Sequence, residues 1–242
     1  MILEGGLSVK AAILAGNRTV HTVYIDRTKH DKDTSFILHR CEDQQIEVKR
    51  PDRAEIDAMA QGRTHGGVLA EAEGRRFQTL EDCLQGDKTF LVLLEGVEDP
   101  FNLGYVMRSL YCAGCTGLIL RSRSWENSEG TILKSSAGAS EYLPTVMSDD
   151  PASLVVKCRG IKIHCYAAMR KDAKPYYEAD YTGPFLLAIG GEMRGLSASV
   201  LEACQENLYI PYARQFRGAL NAAGASAAFG FEAMRQRMTL DQ

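Results

Sequence analysis

The chain is predicted to be an α/β protein of two parts, a small α/β domain followed by a larger one built on a parallel sheet. Three features of its 242 residues carry that expectation. Apolar runs that end in polar loops recur at FLVLLEGVEDPFNLGYVMRSL and FLLAIGGEMRGLS, the strand-then-loop design of parallel sheets. The first 75 or so residues alternate helical and strand-like patterns on a shorter scale. Between the two parts lies EGRRFQTLEDCLQGDKT, which is polar and without strand periodicity.

Taken in order, LSVKAAILAG reads as a short helix, VHTVYID as a strand and TSFILHRCEDQ as a helix. QIEVK is then a strand, RAEIDAMAQG a helix closed by glycine, and GVLAEA a final strand. These make a domain over residues 1–75, followed by a linker over 76–88 with one short helix at TLEDCL, and a second domain over 89–242. In the second domain FLVLL, GLILRS, IKIHCYAAM and FLLAIG read as strands. Helices are predicted around TILKSSAGA, SLVVKC and SASVLEAC between the sheet elements, and ALNAAGASAAFGFEAM is a long C-terminal helix rich in small residues. There is no internal repeat and no low-complexity tract.

Composition narrows the function classes. Hydrophobic residues make up 45% of the chain, enough to fill real cores. A net charge of −3, from 28 basic and 31 acidic residues, argues against coating nucleic acid by bulk electrostatics, so any such binding must be local. The basic positions placed for it lie near presumed strand ends: Arg121 and Arg123, Arg170 and Lys171, Arg194, Arg214 and Arg217. Seven cysteines are an odd number for a disulfide framework, so reduced thiols are expected. The sole CxxC, Cys112 to Cys115, has no second ligand pair and falls late in a helix, which points to neither metal nor redox chemistry. No apolar run is long enough to span a bilayer and MILEGGLSVK lacks the pattern of a signal peptide, so a cytoplasmic protein without a membrane partner is expected.

The segment after FLVLLEGVEDP is the most informative. Leu103, Val106, Met107 and Leu110 fall on one helical face, while Gly104 and Arg108 share another, which leaves Arg108 free to face a site. The loop GGEMRG does not make GxGxxG, no GxxxxGK[ST] exists, and Glu192 would set a carboxylate where a pyrophosphate needs N–H donors. A carboxylate suits a positively charged ligand instead. Asn102, Arg108, Glu192 and Asn221, carried by three strand ends, suggest one crevice at the carboxyl edge of a parallel sheet.

In order and spacing, these segments resemble the three motifs of the SpoU, or TrmH-like, RNA methyltransferases of the knotted SPOUT superfamily, over residues 90–237. Asn102, Gly104 and Arg108 match the first motif; Gly190, Glu192, Gly195 and Leu196 the second; Ile210, Pro211, Leu220 and Asn221 the third. The first domain, most closely at THGGVLA over 64–70, resembles the substrate-binding domain of many such enzymes, which is similar to ribosomal protein L30e.

The resemblance implies a trefoil-knotted domain that binds S-adenosylmethionine through Gly190, Gly191, Glu192, Gly195, Leu196, Ile210 and Leu220. The glycines would let backbone approach the ligand and adopt positive φ. Its implied reaction is methyl transfer to a ribose 2′-hydroxyl of ribosomal or transfer RNA, with Arg108, Asn102, Glu192 and Asn221 at the catalytic centre. Arg108 is a poor base, so its expected role is to bind the adjacent phosphate and stabilise the developing alkoxide. A homodimer is implied too, and the small residues of the C-terminal helix would permit close approach of a partner, or equally of the chain's own elements. One departure stands out. The family's third motif reads serine-leucine-asparagine, whereas this chain has Ala219-Leu220-Asn221 and one extra residue before it; Ser226 is a candidate to replace the lost hydroxyl. Two alternatives stay open: an RNA-binding protein of this fold with impaired catalysis, and a nucleotide-binding α/β enzyme of another class.

Overall fold

The computed structural model describes residues 1–191 and 194–240. The chain divides into two units, Met1–Arg76 with Trp125–Tyr142, and Phe77–Ser124 with Leu143–Gln242, each built on its own sheet.

The first unit begins with strand β1 (Ile2–Glu4), helix α1 (Gly6–Ala15), β2 (Val20–Ile25) and α2 (Lys32–Asp43). It continues with β3 (Glu47–Lys49), α3 (Arg53–Met59) and β4 (Val68–Ala72). Its sheet runs β1-β4-β2-β3, antiparallel except for the parallel pair β2 and β3. Local chemistry sets the helix limits. Helix α1 stops where Gly16 turns left-handed at φ 63° and returns its N–H to the carbonyl of Ala12. The Asp31 carboxylate accepts the Thr34 N–H to open α2, and Asp52 and Glu55 form a reciprocal capping box on α3. Leu3, Val9, Val23, Ile25, Ile37 and Ala70 share the core. All six elements expected in this region are present. Strand β1 is additional; three residues show no periodicity, and it exists through its pairing with β4.

The second unit opens with β5 (Phe90–Glu95), α4 (Pro100–Cys112) and β6 (Gly117–Arg121). The chain then leaves for α5 (Glu129–Ser135) and α6 (Ala139–Tyr142), which pack in the first unit, and returns as β7 (Thr145–Ser148). Next come α7 (Pro151–Gly160), β8 (His164–Ala168), β9 (Ala173–Pro175) and β10 (Phe185–Gly190). Helix α8 (Ala198–Ala203), β11 (Glu206–Tyr209) and α9 (Ala222–Leu240) complete it. The seven strands run β7-β6-β5-β10-β8-β11-β9 and every pair is parallel. Central strand β5 is buried along its whole length, as a strand covered on both faces must be. Its neighbour β10 runs beside it in register from Phe185 opposite Phe90 to Gly190 opposite Glu95, so both strands end at the same edge.

Two expectations change here. The helix at TILKSSAGA lies between β6 and β7 along the chain, as expected, but packs in the first unit: Leu133 enters the first unit's core, and Lys134 pairs with Glu4. Arg18 donates Nε and Nη2 to the two oxygens of Glu141, both at 2.8 Å, and Nη1 to Glu129 at 3.0 Å. Burial would weaken the Arg18 charge, but the two carboxylates outweigh it and raise its pKa. The stretch read as a linker is also no loose tether. Leu80 and Cys83 are buried beside Leu91 and Ile119, and a Cβ on Gly117 would lie 2.6 Å from the Cys83 sulfur. Among the described residues no helix is long and apolar enough to cross a membrane.

Candidate active site

Three loops meet at the carboxyl edge of the seven-stranded sheet. The first follows β5, the second follows β10 and the third joins β11 to α9. Their packing explains the glycines. A Cβ on Gly190 would lie 2.4 Å from the carbonyl carbon of Gly195, and one on Gly191 would lie 2.1 Å from the carbonyl oxygen of Gly96. The Gly191 N–H donates to the Glu95 carbonyl at 2.6 Å, and Gly195 turns at φ 63° with its N–H on the Gly191 carbonyl. Gly195 thus supplies the positive φ that was anticipated. Gly190 and Gly191 serve a different need: they let loop backbone close against loop backbone, so their demand for glycine exists before any ligand arrives. The buried carboxylate of Glu95 ties the arrangement, accepting the Ser197 N–H at 2.7 Å and an Arg121 N–H at 3.3 Å.

Beside these loops opens a cavity of about 430 Å³. Gly190, Gly191, Gly195, Leu196, Ile210 and Leu220, all anticipated as cofactor residues, line it. Glu192, the remaining one, lies outside the described residues. The cavity also takes in Ala168, Met169 and Arg170 past the end of β8, which the motifs did not mark. The signal for them was positional: IKIHCYAAM is a parallel strand whose carboxyl end had to reach the same edge. Apolar walls from Ile189, Leu208, Ile210 and Phe229 suit a flat aromatic heterocycle, while Arg170 and Arg194 suit a carboxylate. That set fits S-adenosylmethionine, and the volume falls within the usual range for small-molecule sites.

The described catalytic candidates lie outside the lining of this cavity. Helix α4 starts at Asp99, whose carboxylate accepts the N–H groups of Phe101 and Asn102, with Pro100 at its first turn. Leu103, Val106, Met107 and Leu110 are all buried, as their spacing required; Gly104 is buried as well, and Arg108 is exposed. Six residues beyond Asn102, Arg108 stands about 9 Å further along the helix axis from the loops. Asn221 is exposed, and its side-chain oxygen accepts the Gly224 N–H at 2.8 Å, which makes it the N-cap of α9. None of Asn102, Arg108 and Asn221 lines the cavity.

One further expectation is corrected, and one open alternative is met. Ser226 does not replace the lost hydroxyl: it is fully buried on α9, its oxygen has no partner among the described residues, and it does not line the cavity, whereas Ala219 does. The small residues of α9 are in part used inside the chain, because a Cβ on Gly230 would sit 3.1 Å from the Ala113 methyl and 3.5 Å from Leu110 of α4. Within the CxxC pair, Cys115 is a buried thiol donating to the Phe90 and Gly117 carbonyls, its pKa pushed up to about 12 by burial.

Comparison with known proteins agrees with this geometry. The sequence pattern of the SpoU rRNA Methylase family matches residues 89–231, and that of RNA 2′-O ribose methyltransferase substrate binding matches residues 2–78. The 23S rRNA (guanosine-2′-O-)-methyltransferase RlmB of Escherichia coli K12 is 28% identical over 243 residues, covering 98% of each chain. The protein of that name from Photorhabdus laumondii is 28% identical over 240 residues, again covering 98% of both. Among solved structures, the SpoU methyltransferase AviRb from Streptomyces viridochromogenes in complex with AdoMet superposes with a TM-score of 0.82 at 24% identity, covering 99% of this chain and 91% of that one. An rRNA methyltransferase from Sinorhizobium meliloti superposes with a TM-score of 0.80 at 21% identity, over 97% and 86%. At these identities the superpositions speak for the fold.

Proposed function

The chain belongs to the SpoU rRNA methylase family and is an S-adenosylmethionine-dependent RNA 2′-O-ribose methyltransferase, and from that premise we propose that its substrate is ribosomal RNA. The observation that carries the choice is the relationship to RlmB-named proteins along nearly the whole chain, both units included.

The cofactor supplies a methyl group on a positively charged sulfur. Everything else falls to the chain's own residues. Ile210, Leu220 and Phe229 would offer the apolar surface for adenine, Arg170 and Arg194 would hold the carboxylate end, and Gly190, Gly191, Gly195 and Leu196 form part of the cavity's wall. Positioning of nucleophile and methyl carbon in line is the main task of such a site. Arg108 would hold the phosphate next to the target and stabilise the negative charge that develops on the ribose oxygen. Asn102 and Glu192 orient these groups, and Asn221 acts by starting α9 where the third loop ends. The loop contacts of Gly96, Gly191 and Gly195 are consistent with the trefoil knot that the family implies.

We also propose a homodimer, which the exposed face of α4 supports. Phe101, Tyr105, Arg108 and Cys112 share that face, and Arg108 on it does not line the chain's own cavity. Pairing through it would bring Arg108 to a partner's cavity. The test is transfer of labelled methyl from S-adenosylmethionine to a 23S rRNA transcript, with nucleoside analysis of the product and sedimentation of the enzyme. A 2′-O-methylated ribose and a dimer are expected. Exclusive methylation of transfer RNA, or a fully active monomer, would overturn the respective parts.

A further inference from the structure

A second open cavity, of about 480 Å³, adjoins the first and shares Arg170, Tyr209, Ile210 and Tyr212 with it. Its outer wall is the loop after β11, from Pro211 to Phe216. The wall is layered. The Arg170 guanidinium lies 4.7 Å from the centroid of the Tyr212 ring, and the Tyr212 and Phe216 rings are 6.3 Å apart at 47°. The layering is built in: the Tyr212 hydroxyl accepts the Leu220 N–H at 2.9 Å, closing the loop on itself. A Cβ on Gly218 would come within 2.6 Å of the Phe216 ring, so glycine there is what lets the ring lie against the backbone. Phe216 is nevertheless 63% exposed.

An exposed phenylalanine held in place beside tyrosine and arginine, with Arg214 lining the same space and no carboxylate doing so among the described residues, matches how proteins hold single unstacked bases: aromatic faces stack on the base and guanidinia meet the neighbouring phosphates. Connectivity within a nucleotide narrows the occupant. The base hangs from the ribose carbon next to the one that bears the 2′-hydroxyl. Wherever that hydroxyl meets the cofactor cavity, the base must occupy space continuous with it. We propose that this cavity, walled by Tyr212, Phe216 and Arg170, receives the base of the target nucleotide after it has been turned out of the RNA. The proposal rests on the methyl-transfer reading and adds the residues that grip the base. The one-residue expansion of the loop and its two arginines, Arg214 and Arg217, are then specificity features of this chain.

Phe216 lines only the second cavity, which makes it the clean probe. A 23S rRNA transcript methylated by the wild-type enzyme locates the target nucleotide, and a fragment spanning it is made with the target base present, with that base removed, or with a flanking base removed. Phe216→Ala should lower kcat/KM for the native fragment by about 10- to 100-fold, the range for losing one stacked base. Phe216→Tyr should keep most of the activity, and calorimetric affinity for S-adenosylmethionine should be unchanged in both. On the fragment lacking the target base, wild type and Phe216→Ala should be equal, which a merely structural role would not produce. A difference that persists without the target base, or vanishes only when a flanking base is removed, overturns the assignment. So does a Phe216→Ala variant that dissociates the dimer while its remaining dimers keep full activity, because a second copy would then be what covers the ring. Absence of methyl transfer by the wild type to any RNA would strike the underlying reading and this inference together; transfer indifferent to Phe216 would strike this one alone.

Discussion

The first unit buries an ion-pair network in its interior, whereas the second gathers arginines at an open sheet edge. In the first, Arg18 and Glu141 have side-chain exposures of 1% and 0%, and Glu4 is buried against Lys134 and two backbone N–H groups. In the second, β5 and β10 are apolar inside, and polar side chains gather at the carboxyl edge, where Arg170, Arg194 and Tyr212 face open cavities. The contrast separates two uses of a charge. A buried, fully paired ion has no capacity left for a ligand and acts on the fold; an arginine at a sheet edge costs little to keep and remains available for binding.

The largest expected effect tests the hidden side. Arg18→Met leaves Glu141 buried without its partner, and removing one member of a buried pair costs about 3–5 kcal/mol. Hydrogen exchange should show lost protection in residues 1–76 and 125–142, with the second unit's sheet unaffected. Replacing both residues, as Arg18→Met with Glu141→Leu, should recover most of the loss, since apolar groups of similar volume substitute well for buried ions. Equal loosening of both units would break the comparison. Acid supplies a gentler version. Burial alone would raise the Glu4 pKa, but hydrogen bonds from Lys134, Gly62 and Gln61 outweigh it and hold the carboxyl below its usual value. Folding therefore favours the ionised form: its contribution is complete above the unfolded carboxylate's range and is lost as pH falls through the depressed value. Glu4→Gln should flatten the acid limb of the first unit's melting curve.

The displayed side is tested by Arg108→Ala. Loss of a donor to the developing oxyanion should cost about 10²- to 10³-fold in methyl transfer. Cofactor affinity should hold, because Arg108 does not line the cavity. Mixing this variant with one defective in cofactor binding should restore activity if subunits share sites. No complementation would place Arg108 at its own cavity.

These experiments also mark what could be read in advance. The apolar run of β5 and the helical spacing of Leu103, Val106, Met107 and Leu110 are local patterns, and the structure reproduces them. The excursion at 125–142 was illegible because its decisive pair, Arg18 with Glu141, joins positions 123 residues apart. Short edge strands such as Ala173–Pro175 carry no alternation and exist only through their neighbour. At the site, glycine positions were legible but their reason was not: the collision that forbids a Cβ on Gly191 involves Gly96, on another loop. The capping role of Asn221 was available all along, since asparagine ahead of a small-residue helix is a strong start signal.

A smaller effect follows from that role. Asn221→Ala should cost about 1 kcal/mol at the start of α9. The effect should appear as weaker cofactor binding, because the loop that ends at Asn221 lines the cavity through Ile210, Tyr212 and Leu220. Asn221→Asp should restore it, as aspartate caps equally well. Should aspartate fail as badly as alanine, with turnover collapsing at saturating cofactor, the amide acts on the substrate and the side chain belongs among the displayed groups after all.

The smallest effect is expected at the position where this chain departs from its family. Ala219 lines the open cavity, so a hydroxyl placed there by Ala219→Ser meets solvent or ligand and creates no buried orphan. Substitutions of that kind usually stay within about 0.5 kcal/mol, roughly a factor of two in rate or affinity. Ser226 supplies the contrast on the same stretch of chain: its buried hydroxyl, unpartnered among the described residues, already carries a desolvation cost. Ser226→Ala should therefore be neutral or stabilise the protein, by up to about 1–3 kcal/mol, without touching methyl transfer. If Ala219→Ser instead raised turnover more than tenfold, the missing hydroxyl would have been limiting and the chain would be a weakened catalyst. If Ser226→Ala abolished activity, the hydroxyl that the third motif lacks would be supplied from the buried face of α9, and the division between hidden and displayed groups would fail at the site itself.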